Sequence, residues 1–357
     1  MGVLSGVRVI ELAAIGPVPW CGMLLADMGA DIVRIDRPGG ARGDEPMGRG
    51  RVSVELDLKS DEGRAQAREL VARAEVLVEG MRPGAAERLG LGPEECLALN
   101  PALVYARMTG WGQHGPLASR AGHDINYIAL TGALHAIGRR DRPVPPLNLV
   151  GDYGGGGAFL AIGVLAALLK ARSTGQGDVV DVAMVDGAAS LTALQYERLG
   201  TRWQDEREAN GLDGGAPWYD VYPTRDGRFV AVGAIEPQFY AELLHGLQLS
   251  DSQVPDRASR DNWPAIRARL SERFASRTRD EWARVFEGTD ACVTPVLSMR
   301  EAPAHEHNLQ RGTFASFGAH VVPGPAPRFR SQRHEAAPAT VTLSAAEAMN
   351  RWNGQPG

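Results

Sequence analysis

The chain is short of cysteine, of net charge and of long hydrophobic runs, and each shortage closes off a class of protein. Its three cysteines, Cys21, Cys96 and Cys292, are odd in number and far apart in 357 residues. They build no disulfide framework and offer no Cys-x-x-Cys pair for a zinc ribbon, so no metal is expected and a reducing, cytoplasmic setting is. With 38 basic against 43 acidic residues the net charge is −5. Bulk attraction to nucleic acid or to an anionic membrane is therefore not expected, although a local basic patch could still take a small anion. The longest apolar run, Ala158 to Leu169, has 12 residues. That is too short to cross a bilayer and reads as a buried core helix. Arg8 and Glu11 interrupt the first apolar stretch, against a signal peptide, and Gln355-Pro356-Gly357 carries no targeting signal. There is no Gly-x-Ser-x-Gly elbow and no Walker loop. The first turn, Ala13-Ala14-Ile15-Gly16-Pro17, lacks the glycines of a dinucleotide site.

What is present is a regular alternation. The β-branched, apolar stretch 7–12 reads as a strand, as do 31–35, 52–58, 75–78 and 103–108, with helices at 17–28 and 61–73. This spacing predicts a parallel, Rossmann-like sheet with right-handed crossovers. A helix over 151–170 is apolar nearly all round and is expected to be buried. A strand at 179–183 and a long helical stretch from Asp186 towards Gly200 follow. Beyond a polar linker the pattern changes. Strands at 218–222 and 228–233 flank Asp226-Gly227, a hairpin signal. Helices are expected at 236–247, 263–276 and 279–286. The chain thus reads as a large Rossmann-like domain over 1–200, a linker over 201–216, a small α+β domain over 217–300 and a return linker over 301–324. The segment from about 325 to 357 wraps back to complete the large domain.

Two segments carry the chemistry. Gly122-His123-Asp124-Ile125-Asn126-Tyr127 offers an imidazole, with Asp124 and Asn126 as hydrogen-bond partners and Tyr127 as a wall. An imidazole with a pKa near ~6.5 can give or take a proton at neutral pH; a lone histidine is also a common structural residue. Val150-Gly151-Asp152-Tyr153, followed by Gly154 to Gly157, offers a carboxylate at what reads as a helix start. Aspartate is an ordinary N-cap there. Four successive glycines, each costing roughly 0.5–1 kcal/mol against alanine in a helix, suit either a ligand lying on the backbone or close packing of another helix. In the first case the free N–H groups of the helix start would stabilise an oxyanion. Glu236, between strand and helix in Gly233-Ala234-Ile235-Glu236-Pro237, reads as a helix-start acid that could also orient a histidine. Arg37, Lys59, Arg82 and Arg88 read as lying in loops at strand ends, where open α/β sheets bind ligands. Singly they are surface charges; together they could form a cationic rim. Met184 and the stretch 188–194 could line an apolar chain or simply pack the core.

These motifs resemble the family III CoA-transferase superfamily, and within it the racemases of 2-methylacyl-CoA thioesters. The likeness rests on the sequences at 122–127, 149–156 (Leu-Val-Gly-Asp-Tyr-Gly-Gly-Gly) and 232–240 (Val-Gly-Ala-Ile-Glu-Pro-Gln-Phe-Tyr). Glu-Leu-Ala-Ala-Ile-Gly-Pro at 11–17, Met-Arg-Pro-Gly at 81–84 and Arg-Met-Thr-Gly-Trp-Gly at 107–112 support it. It runs from about residue 3 to about 330. It implies an interlocked homodimer with a site shared between the large domain of one subunit and the small domain of the other. CoA, as part of the substrate and not a separate cofactor, would lie along Arg37, Leu56, Asp57, Leu58, Lys59, Gly80, Met81, Arg82, Arg88, Gly122, Asp124, Ile125, Asn126 and Tyr127. His123 and Asp152 would be the acid/base pair, and Glu236 the acid contacting the histidine. The implied reaction is 1,1-proton transfer through an enolate whose oxygen is held by the Asp152 backbone N–H. The other readings are a transferase using Asp152 as an acyl-accepting nucleophile, and a non-catalytic acyl-CoA-binding protein. A transferase needs no proton carrier on the opposite face, so His123 favours the racemase.

Overall fold

A computed structural model describes residues 2–40, 45–332 and 335–353. The end of the segment expected to complete the large domain, 354–357, and residues 333–334 within it lie outside the described residues. The chain divides into two compact units. The first comprises Met1–Ala133, Pro146–Thr192 and His305–Gly357; the second comprises Leu134–Pro145 and Ala193–Ala304.

The first unit is built on a seven-stranded parallel sheet. Its strands are β1 (Arg8–Leu12), β2 (Asp31–Asp36), β3 (Arg51–Glu55), β4 (Val76–Glu79), β5 (Val104–Thr109), β6 (Asp178–Ala183) and the C-terminal strand Val341–Thr342. The spatial order is the C-terminal strand, β3, β2, β1, β4, β5, β6, with every pairing parallel. The order reverses direction between β1 and β4. In open α/β sheets such a switch point opens a crevice at the carboxyl ends of the strands.

Helices cover both faces, so the strands are apolar on both sides. On one face α1 (Pro17–Asp27) and α4 (Phe159–Thr174) bury Val18, Cys21, Leu25, Leu160, Val164 and Leu168 against Val9, Ile32, Val76 and Val104. On the other, α2 (Asp61–Val71) and the C-terminal helix Ala345–Asn353 bury Leu70, Ala348 and Trp352 against Ile10, Val33, Val54 and Leu77. α2 begins where Ser60 Oγ accepts the Gly63 N–H at 3.0 Å, with Asp61 and Glu62 in the first turn. The C-terminal segment therefore extends the sheet and roofs it. α3 (Asp124–Leu130) and α5 (Met184–Leu191) complete the parts of this unit that bear on function.

One expectation fails in part. α4 was expected to be buried all round, yet Ile162 is 61% and Leu169 73% exposed, while Leu160 and Val164 are fully covered. The segment Leu149–Thr174 has the length and apolarity to cross a membrane, but half of it is packed inside this unit.

The second unit holds a three-stranded antiparallel sheet, β7 (Tyr219–Pro223), β8 (Phe229–Gly233) and β9 (Val293–Pro295), with β8 central. The Asp226-Gly227 turn closes the β7–β8 hairpin, with Gly227 at φ +72° where a side chain would be strained. α6 (Pro237–Gly246), α7 (Trp263–Phe274) and α8 (Arg279–Val285) pack on the sheet through Leu243, Leu270, Phe274 and Trp282. Residues 134–145, read from the sequence with the large domain, cluster with this unit.

Candidate active site

The carboxyl ends of β1, β2, β3 and β4 lie side by side, because Leu12 pairs with Ile35, Ile35 with Val54 and Glu11 with Val78. Arg37, the 56–59 loop and the 80–82 loop continue directly from these ends. Arg37, Lys59, Arg82 and Arg88 are all exposed, but Arg88 lies at the end of the short helix Ala85–Arg88 and not, as expected, in a loop at a strand end. The loop after β1 ends at Gly16, at φ +69°, and a side chain added there would sit 3.4 Å from Asp152 Oδ2. Asp152 is thus placed at the switch-point crevice.

Asp152 does not cap a helix. The segment Leu149–Ala158 is a π-helix preceded by Asn148, and Asp152 is its fourth residue. Such wide turns recur at functional sites because they redirect one side chain. Asn148 Nδ2 donates to Asp152 Oδ2 at 3.3 Å. Tyr153 stacks on Trp20, with ring centroids 5.4 Å apart. The glycines that follow are explained by packing, not by a ligand. A side chain at Gly155 would stand 2.6 Å from the Ala188 nitrogen of α5, and one at Gly157 2.5 Å from Trp20 Cε3. At Gly156, Met184 and Pro17 close in to 3.0 Å.

The Asp152 N–H is also engaged. It donates to Asp124 Oδ2 at 2.7 Å. The expectation that this N–H stands ready for an enolate oxygen is therefore corrected: a substrate oxygen reaches it only by displacing the Asp124 carboxylate.

His123 precedes α3 as its N-cap residue and is exposed. Its own N–H donates to Asn126 Oδ1 at 3.0 Å, so Asn126 fixes the turn that carries it. Tyr127 is buried and donates its hydroxyl to the Gly122 carbonyl. Its ring meets Trp111 edge-on at 4.8 Å. Gly122 lies against both rings, where no side chain fits. Tyr127 thus clamps the loop from behind, and its body packs into the core instead of forming a wall of the site.

Asp152, His123 and Asp124 belong to one electrostatic cluster. Burial raises the Asp152 pKa above the ordinary carboxylate value; the Asn148 hydrogen bond and the His123 charge pull it back, and Asp124 adds to burial. Tyr127 is raised by burial first, then by Asp152 and Asp124. A carboxyl whose pKa is raised by burial and a nearby imidazole make a candidate proton-transfer pair.

Other expected residues divide by exposure. Asp57 and Lys59 form a tight turn, Asp57 Oδ1 accepting the Lys59 N–H at 2.9 Å. Leu56 is buried in the core, with Leu58 packed against it. Gly80 is exposed and backed by Val18 and Ala14; Met81 donates its N–H to Glu79 Oε2 at 2.6 Å. Ile125 is exposed, and Asp124 is buried. Glu236, exposed, is the N-cap of α6 in the second unit. Met184 and Ala188 are buried in packing, whereas Leu191 and Leu194 are exposed. Among the described residues no group of three or more His, Cys, Asp or Glu is placed to hold a metal.

Several supporting residues escaped the sequence reading. Asn148 is one, although its place four residues before Asp152 is the spacing at which helical side chains meet. The others are buried ion pairs beneath the crevice. Arg51 reaches Glu11 at 2.8 Å and the Pro19 carbonyl at 2.5 Å. Arg107 reaches Glu79 and Glu87, each at 2.9 Å. Read along the chain Glu11, Arg51, Glu79 and Arg107 were strand residues of the wrong polarity, and Glu87 an ordinary, part-exposed helix acid; only the fold pairs them.

With this geometry in place, comparison with known proteins defines the class. Residues 4–345 match the model of CoA-transferase family III, and the chain belongs to that family. It is 48% identical over 329 residues to mouse alpha-methylacyl-CoA racemase, covering 91% of this chain and 86% of that protein. The human alpha-methylacyl-CoA racemase is 47% identical over 328 residues, with the same coverage. Among solved structures, a CaiB/BaiF family protein of Brucella suis superposes with a TM-score of 0.82 at 25% identity, over 99% of both chains.

Proposed function

We propose that the protein is a racemase that interconverts the (2R) and (2S) epimers of 2-methylacyl-CoA thioesters. The observation that carries the reading is the placement of Asp152, with a raised pKa, within electrostatic range of His123 at the switch-point crevice. The names of the mouse and human relatives support the substrate class. One group takes the α-proton, a planar enolate forms, and the other returns a proton to the opposite face. His123 serves as base for the S-epimer and Asp152 for the R-epimer. A thioester α-carbon is a far weaker acid than either conjugate acid, and each pKa unit of mismatch costs about 1.36 kcal/mol. Stabilisation of the enolate must therefore carry much of the barrier, since acid–base positioning supplies typically ~10²–10⁴-fold.

The CoA moiety lies along the exposed loops carrying Arg37, Lys59 and Arg82 and the short helix that ends at Arg88, with these four cations facing its phosphates. No further cofactor takes part. The active form is a homodimer in which Glu236 of one copy contacts His123 of the other. The exposure of Leu130, Ile162, Leu169 and Leu191 in the single chain suits such an assembly.

Incubating one epimer of a 2-methylacyl-CoA in D₂O tests the function. The racemase reading expects epimerisation with α-deuterium uptake and no added acceptor. Substrate that stays configurationally stable and fully protonated would remove the reading. Transfer of CoA to a free acid would support the transferase, with Asp152 as nucleophile.

A further inference from the structure

We propose that Asp124 is a positioning residue, whose carboxylate ties the His123 turn to the Asp152 turn and so sets the spacing of the two proton carriers. The proposal rests on the racemase reading for its consequence and on geometry for its substance. Asp124 follows His123 directly in the chain and is 6% exposed. Its Oδ2 accepts the Asp152 N–H at 2.7 Å, across 28 residues of sequence. The contact is built in from both sides. A side chain at Gly151 would stand 2.6 Å from that same oxygen, so only glycine lets the carboxylate reach the backbone. The π-helical register turns the Asp152 N–H out of the helical ladder and towards α3. The hydrogen bond is charge-assisted and shielded, the kind that holds geometry most firmly.

The second carboxylate oxygen, Oδ1, is buried with no hydrogen-bond partner among the described residues. A buried carboxylate with one satisfied oxygen is an expensive arrangement. It is explained if the charge is needed where it lies. Asp124 raises the pKa of Asp152, against the opposing pull of Asn148 and His123. The residue thus acts twice through Asp152 without touching the reacting carbon. It fixes where the carboxyl stands, and its charge adds to the upward shift of that carboxyl's pKa.

Two variants separate these roles. Asp124→Ala removes the tether. Because misplacement by about 1 Å can cost ~10²-fold, kcat should fall about 10–100-fold in both directions, with KM changed less than about threefold. Asp124→Asn keeps an acceptor for the Asp152 N–H and removes the charge. It should recover much of the lost kcat, and the limb of the pH–rate profile set by Asp152 should move to lower pH. Hydrogen exchange of the 149–158 segment supplies a readout that needs no activity. Asp124→Ala should speed exchange at the Asp152 amide at least tenfold, while Asp124→Asn should leave it within threefold of wild type. An Asp124→Ala protein with wild-type kcat, or with unchanged exchange in that segment, would overturn the proposal. If wild-type protein fails to racemise while the exchange result holds, the racemase reading falls and the tether stands.

Discussion

At Asp152 a carboxylate is held against its own preference. Burial raises its pKa, Asn148 and His123 oppose that shift, and Asp124 reinforces it. A folded-state pKa above the unfolded value favours folding below the unfolded pKa, and that advantage is lost as pH rises through the folded value. At neutral pH the charged form therefore detracts slightly from stability, an amount reduced by the partial exposure of the group. Asp152→Asn keeps the shape and removes the charge. Its Tm at pH 7 should equal that of wild type or exceed it by up to about 2 °C, while kcat falls at least ~10²-fold. A Tm several degrees lower, read by calorimetry, would show that the carboxylate is structural. The sequence made His123, Asp152 and Glu236 stand out as candidates because ionisable groups near glycines are conspicuous. It did not reveal Asn148 or the grip of Asp124, because both depend on a register that local pattern does not encode.

The wide turn of Leu149–Ala158 is where sequence and structure part most clearly. Its glycines were legible as a close approach, but not the partner. Gly155 admits α5, and Gly157 admits the Trp20 ring of α1. Gly157→Ala places a methyl 2.5 Å from Trp20 Cε3 and should destabilise by about 1–3 kcal/mol. Urea denaturation should show a lower midpoint with an unchanged m-value; a midpoint equal to wild type would contradict the packing account. The strands were readable because a parallel sheet buried on both faces demands near-continuous apolar runs, and Ile32, Val33, Val76 and Leu77 supply them. The paired charges Arg51–Glu11 and Arg107–Glu79 were not readable, since partners lie tens of residues apart and meet only once β1, β3, β4 and β5 are aligned. α4 misled for a related reason. A helix apolar all round implies that every face is covered, and the single chain covers only part of it.

Membership of CoA-transferase family III accounts for the two-unit architecture and the seven-stranded sheet completed from the C-terminus. At this scale the proposed homodimer makes its own prediction. Subunits carrying His123→Ala and subunits carrying Glu236→Ala should each be nearly inactive. After verified subunit exchange, a mixture should regain up to about a quarter of wild-type activity, because random pairing restores one intact site in half of the dimers. No recovery would count against a site shared between copies. The central claim is that two different proton carriers work on opposite faces of one carbon, and it is tested most directly by the early time course of a single epimer in D₂O. The account predicts that the newly formed epimer carries deuterium at the α-carbon while the unreacted substrate is still largely protium. Product that retains the original proton, or deuterium appearing equally in both epimers from the start, would contradict it.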